Sequence, residues 1–291
     1  MSTTNHGEYF IPEPSKWPLV GTIALTTTVI GAVTSIHGGS VNWALIVGFL
    51  LIAYLFYGWF GAVIDESMAN NYNEQVDRSF RIGMLWFIFS EVMFFAAFFG
   101  ALFYARVIAV PWLGGAGNNA MTHELLWPAF EAVWPVLTNP DNEKFTAPAQ
   151  AMGAWGLPAI NTAILLLSSV TVTIAHHALR ANHRKPLTIW LAATVVLGII
   201  FLGLQVEEYI VAYQQMGLTL NSGIYGSTFF MLTGFHGFHV TMGTIMLFII
   251  LVRVIKGHFS ADKHFAFEAV AWYWHFVDVV WLGLFIFVYW L

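Results

Sequence analysis

The sequence predicts an all-α integral membrane protein of about seven transmembrane helices. Charged residues make up only 9% of the chain and apolar residues 58%, whereas a soluble domain carries about 25% charged residues. Much of the surface must therefore face lipid. The chain contains no Cys, which excludes disulfides, thiolate metal sites and a Cys nucleophile. No basic run indicates a nucleic-acid partner.

Apolar runs of about 20 residues mark the predicted spans, because a helix of that length crosses the hydrocarbon core. The first run is too long for one helix, and the HGGS segment at 37–40 divides it in two. Continuous apolar runs fit helices and do not fit the alternating pattern of a barrel. We expect a single membrane domain over residues 1–291, with an external loop at 107–153. The predicted spans cover residues 17–36, 41–64, 82–106, 155–179, 187–211, 225–252 and 265–290.

The distribution of Lys and Arg predicts the orientation. With the N-terminus inside, nine of the eleven Lys and Arg residues fall in inner segments, which is the positive-inside pattern. An odd number of spans then places the C-terminus outside. The polar, Pro-rich N-terminal stretch lacks a basic n-region, so we expect no cleavable signal peptide. The expected location is a bacterial inner membrane, with the mitochondrial inner membrane as the alternative.

Glu91 lies near the middle of the third predicted span. An acid at that depth costs roughly 2.5–3.5 kcal/mol on insertion scales, so it is expected to be paired, protonated or turned toward the bundle interior. Two interpretations remain open at this stage. Glu91 could belong to a lipid or proton site, or it could fix helix packing through one hydrogen bond.

His236 and His239 lie one turn apart in the sixth predicted span. They could ligate a metal or haem, but a spacing of three residues is weakly specific. No further ligands are arranged along the sequence to complete a site, so neutral histidines bonded to backbone or acids are the favoured interpretation and no metal site is expected. His176 and His177 are expected to be solvated residues at the inner membrane interface.

A polar stripe follows the seventh predicted span. It could be a proton wire or simply the face turned toward the bundle, and the apolar last turn LFIFVYWL favours the second interpretation. At 100° per residue, the stripe occupies about a third of the helix circumference. Its members are Glu268, Trp272, His275 and Asp278. We expect an intramembrane polar network formed by Glu91, His236, His239, Glu268, His275 and Asp278.

Six segments resemble subunit III of the haem–copper cytochrome c oxidases. Several exceed ten residues, and all occur in the family's order, so the resemblance is highly specific and covers nearly the whole chain. The segments are PSKWPL (14–19), RIGMLWFIFSEVMFF (81–95), NTAILLLSSVTVTIAHHAL (161–179), EEY (207–209), YGSTFFMLTGFHGFHV (225–240) and HFAFEAVAWYWHFVDVVWL (264–282).

The resemblance implies the family fold and role. Seven transmembrane helices would form two bundles, helices 1–2 and helices 3–7, separated by a V-shaped cleft filled with phospholipid. The chain would be the non-redox subunit III of an aa3-type oxidase, without catalytic residues of its own. It would flank subunit I, supporting proton uptake and stability during turnover. Haem a and copper would lie in partner subunits, subunit II would be a further partner, and cytochrome c would be the substrate of the complex.

The resemblance also implies site residues. The family's lipid-contacting positions map onto Trp59, Arg81 and Arg253, and its intramembrane acid onto Glu91. Both arginines lie at the predicted inner ends of spans, where a lipid phosphate would lie. The segment NNY at 70–72 departs from the family pattern, because relatives often have a Gly-His-Thr type sequence there. Two smaller departures are HFAFE in place of HFGFE and a longer 107–153 segment.

Three alternative functions are a quinol oxidase subunit, a transporter and a stand-alone membrane haem protein. A quinol oxidase subunit III generally lacks the first two helices, so the paired spans within 17–64 argue against it. A transporter would have internal repeats, which are not found in this sequence. The case for a stand-alone membrane haem protein rests on His content alone.

Three histidines are expected at the inner surface, where they could hold and pass protons near neutral pH. They are His6, His258 and His264.

Overall fold

The computed structural model describes residues 10–291, which contain α-helices, short π-helical turns and no strand. His6 lies outside the described residues. Within the described part, seven helices are long and apolar enough to cross a membrane, which confirms the predicted fold class. These seven are Trp17–Gly38, Trp43–Met68, Glu74–Leu113, Leu157–Arg180, Arg184–Gln215, Ile224–Ile255 and Phe265–Trp290.

The chain divides into two compact units, Met1–Ile82 and Gly83–Leu291. In the first unit, α1 (Trp17–Gly38) and α2 (Trp43–Met68) pack against each other. Gly31 is required in this packing, because an added Cβ would collide with the α2 backbone at Leu45. Asn42 caps α2 by accepting a hydrogen bond from the Leu45 backbone N–H at 3.0 Å, which satisfies one of the free donors at a helix start.

The third membrane helix is longer at both ends than the predicted span at 82–106. It begins as α3 (Glu74–Phe103), continues through a π-helical segment, Tyr104–Ala109, and ends in the short helix α4 (Val110–Leu113). The predicted loop at 107–153 is therefore wrong for its first residues. Hydropathy excluded the charged first turns of α3, where Asp77 and Arg81 form an i,i+4 pair that favours a helix.

The second unit holds the remaining long helices. After α5 (Ala120–Leu126), the four helices of this group are α6 (Leu157–Arg180), α7 (Arg184–Gln215), α8 (Ile224–Ile255) and α9 (Phe265–Leu284), the last continuing as a π-helical turn to Trp290. Consecutive members of the group pack together, and α6 also packs against α9.

Buried tryptophans of α9 lie at the centre of this helix group. Trp274 and Trp281 are fully buried, and each indole N–H reaches a hydroxyl of α6. Trp274 donates to Ser168 Oγ at 2.8 Å and Trp281 donates to Thr162 Oγ1 at 2.9 Å. A large apolar ring with a satisfied N–H can be buried at little polar cost, so these two residues fix α9 against α6.

Candidate functional site

Glu91 is paired across a helix interface. It lies on α3, and its Oε2 atom is 2.8 Å from Nε2 of His239 on α8. The other ring nitrogen of His239, Nδ1, lies 2.6 Å from the backbone oxygen of Phe235. The rings of Phe94 and Phe95 flank the imidazole at centroid distances of 5.8 and 5.0 Å. The predicted intramembrane acid thus has a specific partner in an aromatic environment.

One hydrogen bond joins the two groups. A carbonyl can only accept, so Nδ1 of His239 donates to Phe235 O. Nε2 then either accepts a hydrogen bond from the carboxylic acid of Glu91 or donates one to its carboxylate. Both arrangements leave the pair with no net charge, which is the condition under which an ionisable pair is tolerated within a membrane. The arrangement joins two helices through one hydrogen bond.

A second polar group links α6 to α9. Ser169 Oγ donates to Asp278 Oδ2 at 2.9 Å, and Nδ1 of His275 lies 3.3 Å from the same hydroxyl. Nε2 of His275 lies 3.3 Å from Thr173 Oγ1. Two members of the predicted stripe on α9 therefore face α6 together. The single network of six residues stays a prediction, because these hydrogen bonds join only four of the six, as the pair Glu91–His239 and as His275 with Asp278 through Ser169.

His236 is completely buried, and its Nε2 atom donates to the backbone oxygen of Val277 at 3.1 Å. Its ring packs against Trp281 at a centroid distance of 5.0 Å. This histidine and His239 do not point at a common ligand position: one bonds α9 backbone, the other Glu91. The favoured interpretation of the sequence, a pair of histidines bonded to backbone or acid, describes both side chains.

Glu268 lies apart from these groups, at the start of α9 beside His176 and His264. The expectation that His176 is a solvated surface residue is wrong. Its side chain is half-buried, because its ring packs against Phe267 and against the ring of His264. Its neighbour His177 is exposed, as expected.

A buried acid that the sequence analysis did not single out lies on α7. Glu208 has no exposed surface, and Tyr289 Oη donates to its Oε1 atom at 2.6 Å. Helical periodicity could have indicated it, since Phe201, Gln205 and Glu208 recur at helical spacing and all are buried. Glu207, the adjacent acid, faces outward.

The residues expected to contact lipid are placed on three helices. Trp59 on α2 is 45% exposed. Arg81 on α3 donates from Nε to Asp77 Oδ2 at 2.7 Å. Arg253, in the last turn of α8, is only 8% exposed, and its guanidinium carbon lies 4.5 Å from the ring centroid of Phe259. Among the described residues, no hydrogen-bond acceptor reaches the buried Nε of Arg253.

Two groups outside the spans have shifted pKa values. In the NNY segment, Tyr72 donates to Glu66 Oε2 at 2.7 Å, and burial together with this carboxylate raises the pKa of Tyr72. Burial, followed by the charges of Arg253 and Lys256, lowers the pKa of His258. The lowered pKa makes His258 a weaker proton holder than its sequence alone indicates.

Comparison with known proteins places this chain beside one family. The family model described as cytochrome c oxidase subunit III matches residues 7–128 and 122–291. A protein named cytochrome c oxidase subunit 3 from Prototheca wickerhamii is 41% identical over 97% of this chain and 96% of its own length. The protein of that name from Marchantia polymorpha is 40% identical over 100% and 98%. The one from Oryctolagus cuniculus is 38% identical over 97% and 96%.

Proposed function

The chain belongs to the cytochrome c oxidase subunit III family, and we propose that it is the non-redox subunit III of an aa3-type, proton-pumping enzyme. In this proposal it contacts subunit I directly, with subunit II as a further partner. Haem a and copper lie in those partners, and cytochrome c is the substrate of the whole complex. The chain supports proton uptake and the stability of subunit I during turnover.

The hydrogen bonds of His239 support the proposal that this subunit binds no redox centre. A haem or copper ligand must offer a ring nitrogen with a free lone pair. Both nitrogens of His239 are engaged, one with Phe235 O and the other with Glu91 Oε2. His239 is thus occupied in joining two helices. This supports a role in packing and proton holding within an oxidase and not in electron transfer.

The burial of Arg253 supports lipid binding. An arginine cannot lose its charge in a protein, so a buried guanidinium needs anionic or carbonyl partners. Since the Nε of Arg253 has none among the described residues, a phosphate oxygen of a lipid headgroup fits this position. Arg–phosphate contacts are charge-assisted and can be bidentate. By the family resemblance, we propose the same role for Arg81, with Trp59 packing on an acyl chain.

The proposed orientation has the N-terminus inside and the C-terminus outside, in the inner membrane of a bacterium. It rests on the positive-inside distribution of Lys and Arg. Reporter fusions at the α6–α7 turn and after Leu291 test it. An enzyme reporter active only on the outer side should work after Leu291 and stay inactive at the turn, and the reverse would overturn the orientation.

Co-purification tests the proposed assembly. The full chain carries an affinity tag and is extracted in mild detergent from its native membrane. We expect haem-bearing and copper-bearing chains to elute with it, and the eluate to oxidise cytochrome c with oxygen. Elution of the chain without any haem-bearing partner would contradict the proposal. If the eluate oxidised quinol but not cytochrome c, the quinol oxidase alternative would replace it.

A further inference from the structure

One end of the α6–α9 interface brings together two histidines and an acid. His176 lies near the end of α6, His264 directly precedes α9, and Glu268 lies in the first turn of α9. One potential ligand atom from each of the three residues lies within 4.8 Å of the others. His264 and Glu268 are four residues apart, so their side chains lie on the same side of the helix start. We call these residues the His176–His264–Glu268 cluster.

The two imidazoles are positioned by packing. Their ring centroids are 5.4 Å apart in an edge-to-face arrangement, and the His176 ring also lies 5.6 Å from that of Phe267, which is buried. All three cluster residues are half-buried. Each ring therefore has a fixed direction, whereas exposed histidines sample several rotamers. A preformed pair of rings needs little reorganisation to accept a ligand.

One nitrogen of each ring is shielded and unsatisfied. Nε2 of His176 and Nδ1 of His264 are inaccessible, and neither has a hydrogen-bond partner among the described residues. A buried polar atom without a partner is destabilising, so two in one cluster require an explanation. In neutral imidazoles these atoms can hold lone pairs, which a cation would satisfy at once.

We propose that the His176–His264–Glu268 cluster binds a divalent transition-metal cation, with zinc as the best match. Two imidazole nitrogens and one carboxylate oxygen form a ligand set that zinc commonly takes, and water fills the fourth tetrahedral position. Calcium and magnesium prefer all-oxygen ligands, so the histidines argue against them. Glu268 offsets one of the two positive charges. Arg180, one turn beyond His176, is exposed, so solvent weakens its repulsion of the cation.

A bound ion would join the end of α6 to the start of α9. The tryptophans of α9 hold the same two helices together within the spans, whereas the cluster lies at the helix ends. Sequence spacing gives no indication of such a site, because its ligands come from two separate segments. His264 and Glu268 are close in the sequence, whereas His176 is far from both. The inference changes the expectation that this chain binds no metal.

Zinc content and zinc coordination in the assembled complex test the proposal. The purified complex is stripped with a chelator, reloaded with zinc sulfate and desalted, and zinc is measured per complex by mass spectrometry. We expect His264→Asn to remove one zinc equivalent and Glu268→Gln to weaken zinc affinity by about tenfold or more. His177→Asn alters the exposed neighbouring histidine and should leave the zinc content unchanged. Other zinc sites in the complex cancel in this comparison.

X-ray absorption at the zinc edge of the wild-type complex gives a measurement that needs no variant to assemble. Two imidazole ligands and low-Z oxygen scattering are expected for the zinc that the chelator removes and reloading restores. Equal zinc content in wild type, His264→Asn and Glu268→Gln would overturn the proposal, as would a reloaded zinc signal without imidazole scattering. Co-purification of haem-bearing chains is scored separately, so failure of the metal site and failure of the proposed assembly are distinguishable.

Discussion

Glu91 Oε2 and His239 Nε2 lie 2.8 Å apart between α3 and α8, and the contact accounts for an acid and a histidine in two membrane-spanning helices at once. The side chains are 22% and 8% exposed, respectively, so neither is fully hydrated. Removing either side chain leaves the other without this hydrogen bond. We therefore expect the stability effects of substitutions at Glu91 and His239 to be coupled.

His239→Ala should destabilise the helix group by about 1–3 kcal/mol, because it leaves the Glu91 carboxyl unsatisfied in an apolar environment. Glu91→Gln should cost less, since its amide can still bond to the imidazole. The double variant Glu91→Ala/His239→Ala should lose less stability than the two single alanine variants added together. Thermal dissociation of this subunit from the detergent-solubilised complex measures the effect. Strict additivity would mean that the two side chains do not interact.

The Glu208–Tyr289 hydrogen bond should also contribute to stability. Tyr289→Phe removes the donor to Glu208 Oε1 while keeping the ring, so we expect a loss of about 1–3 kcal/mol. Tyr213→Phe is the matched control, because Tyr213 is 50% exposed and its substitution should change stability by less than about 0.5 kcal/mol. The same thermal measurement applies. Equal effects of the two substitutions on stability would indicate that the Glu208–Tyr289 hydrogen bond does not stabilise the protein.

Lipid retention tests the proposed role of the arginines. Arg253→Ala should lower the amount of tightly bound phospholipid that native mass spectrometry detects on the purified complex, because the guanidinium no longer meets the phosphate. Arg253→Lys keeps the charge but loses the planar fork, so it should retain an intermediate amount. Arg180→Ala, at an exposed position, is the control. If Arg81→Ala/Arg253→Ala retains the wild-type lipid complement, these residues do not anchor it.

The sequence was sufficient for the membrane class and the seven long helices. Hydropathy identifies spans because lipid exposure imposes a strong composition, but it underestimates helix length where charged turns continue a helix, as at Glu74. Partners across helices were not predictable. Tyr289 lies 81 residues from Glu208, and their contact depends on the rotation and packing of α7 and the C-terminal π-helical turn. The burial of His176 likewise depends on where α9 begins.

The central claim is that this subunit supports turnover without carrying electrons, and stripping it from the oxidase with detergent tests that claim most directly. Oxygen consumption is followed over many turnovers across a pH series, with the intact complex as control. Free protons become scarce as pH rises, so proton uptake should depend most on the proton-collecting groups of this subunit in alkaline solution. The depleted enzyme should keep most of its initial rate near or below neutral pH, have a lower rate at alkaline pH, and lose activity progressively during turnover. Immediate, pH-independent loss of all activity, together with loss of a haem or copper signal, would contradict the account.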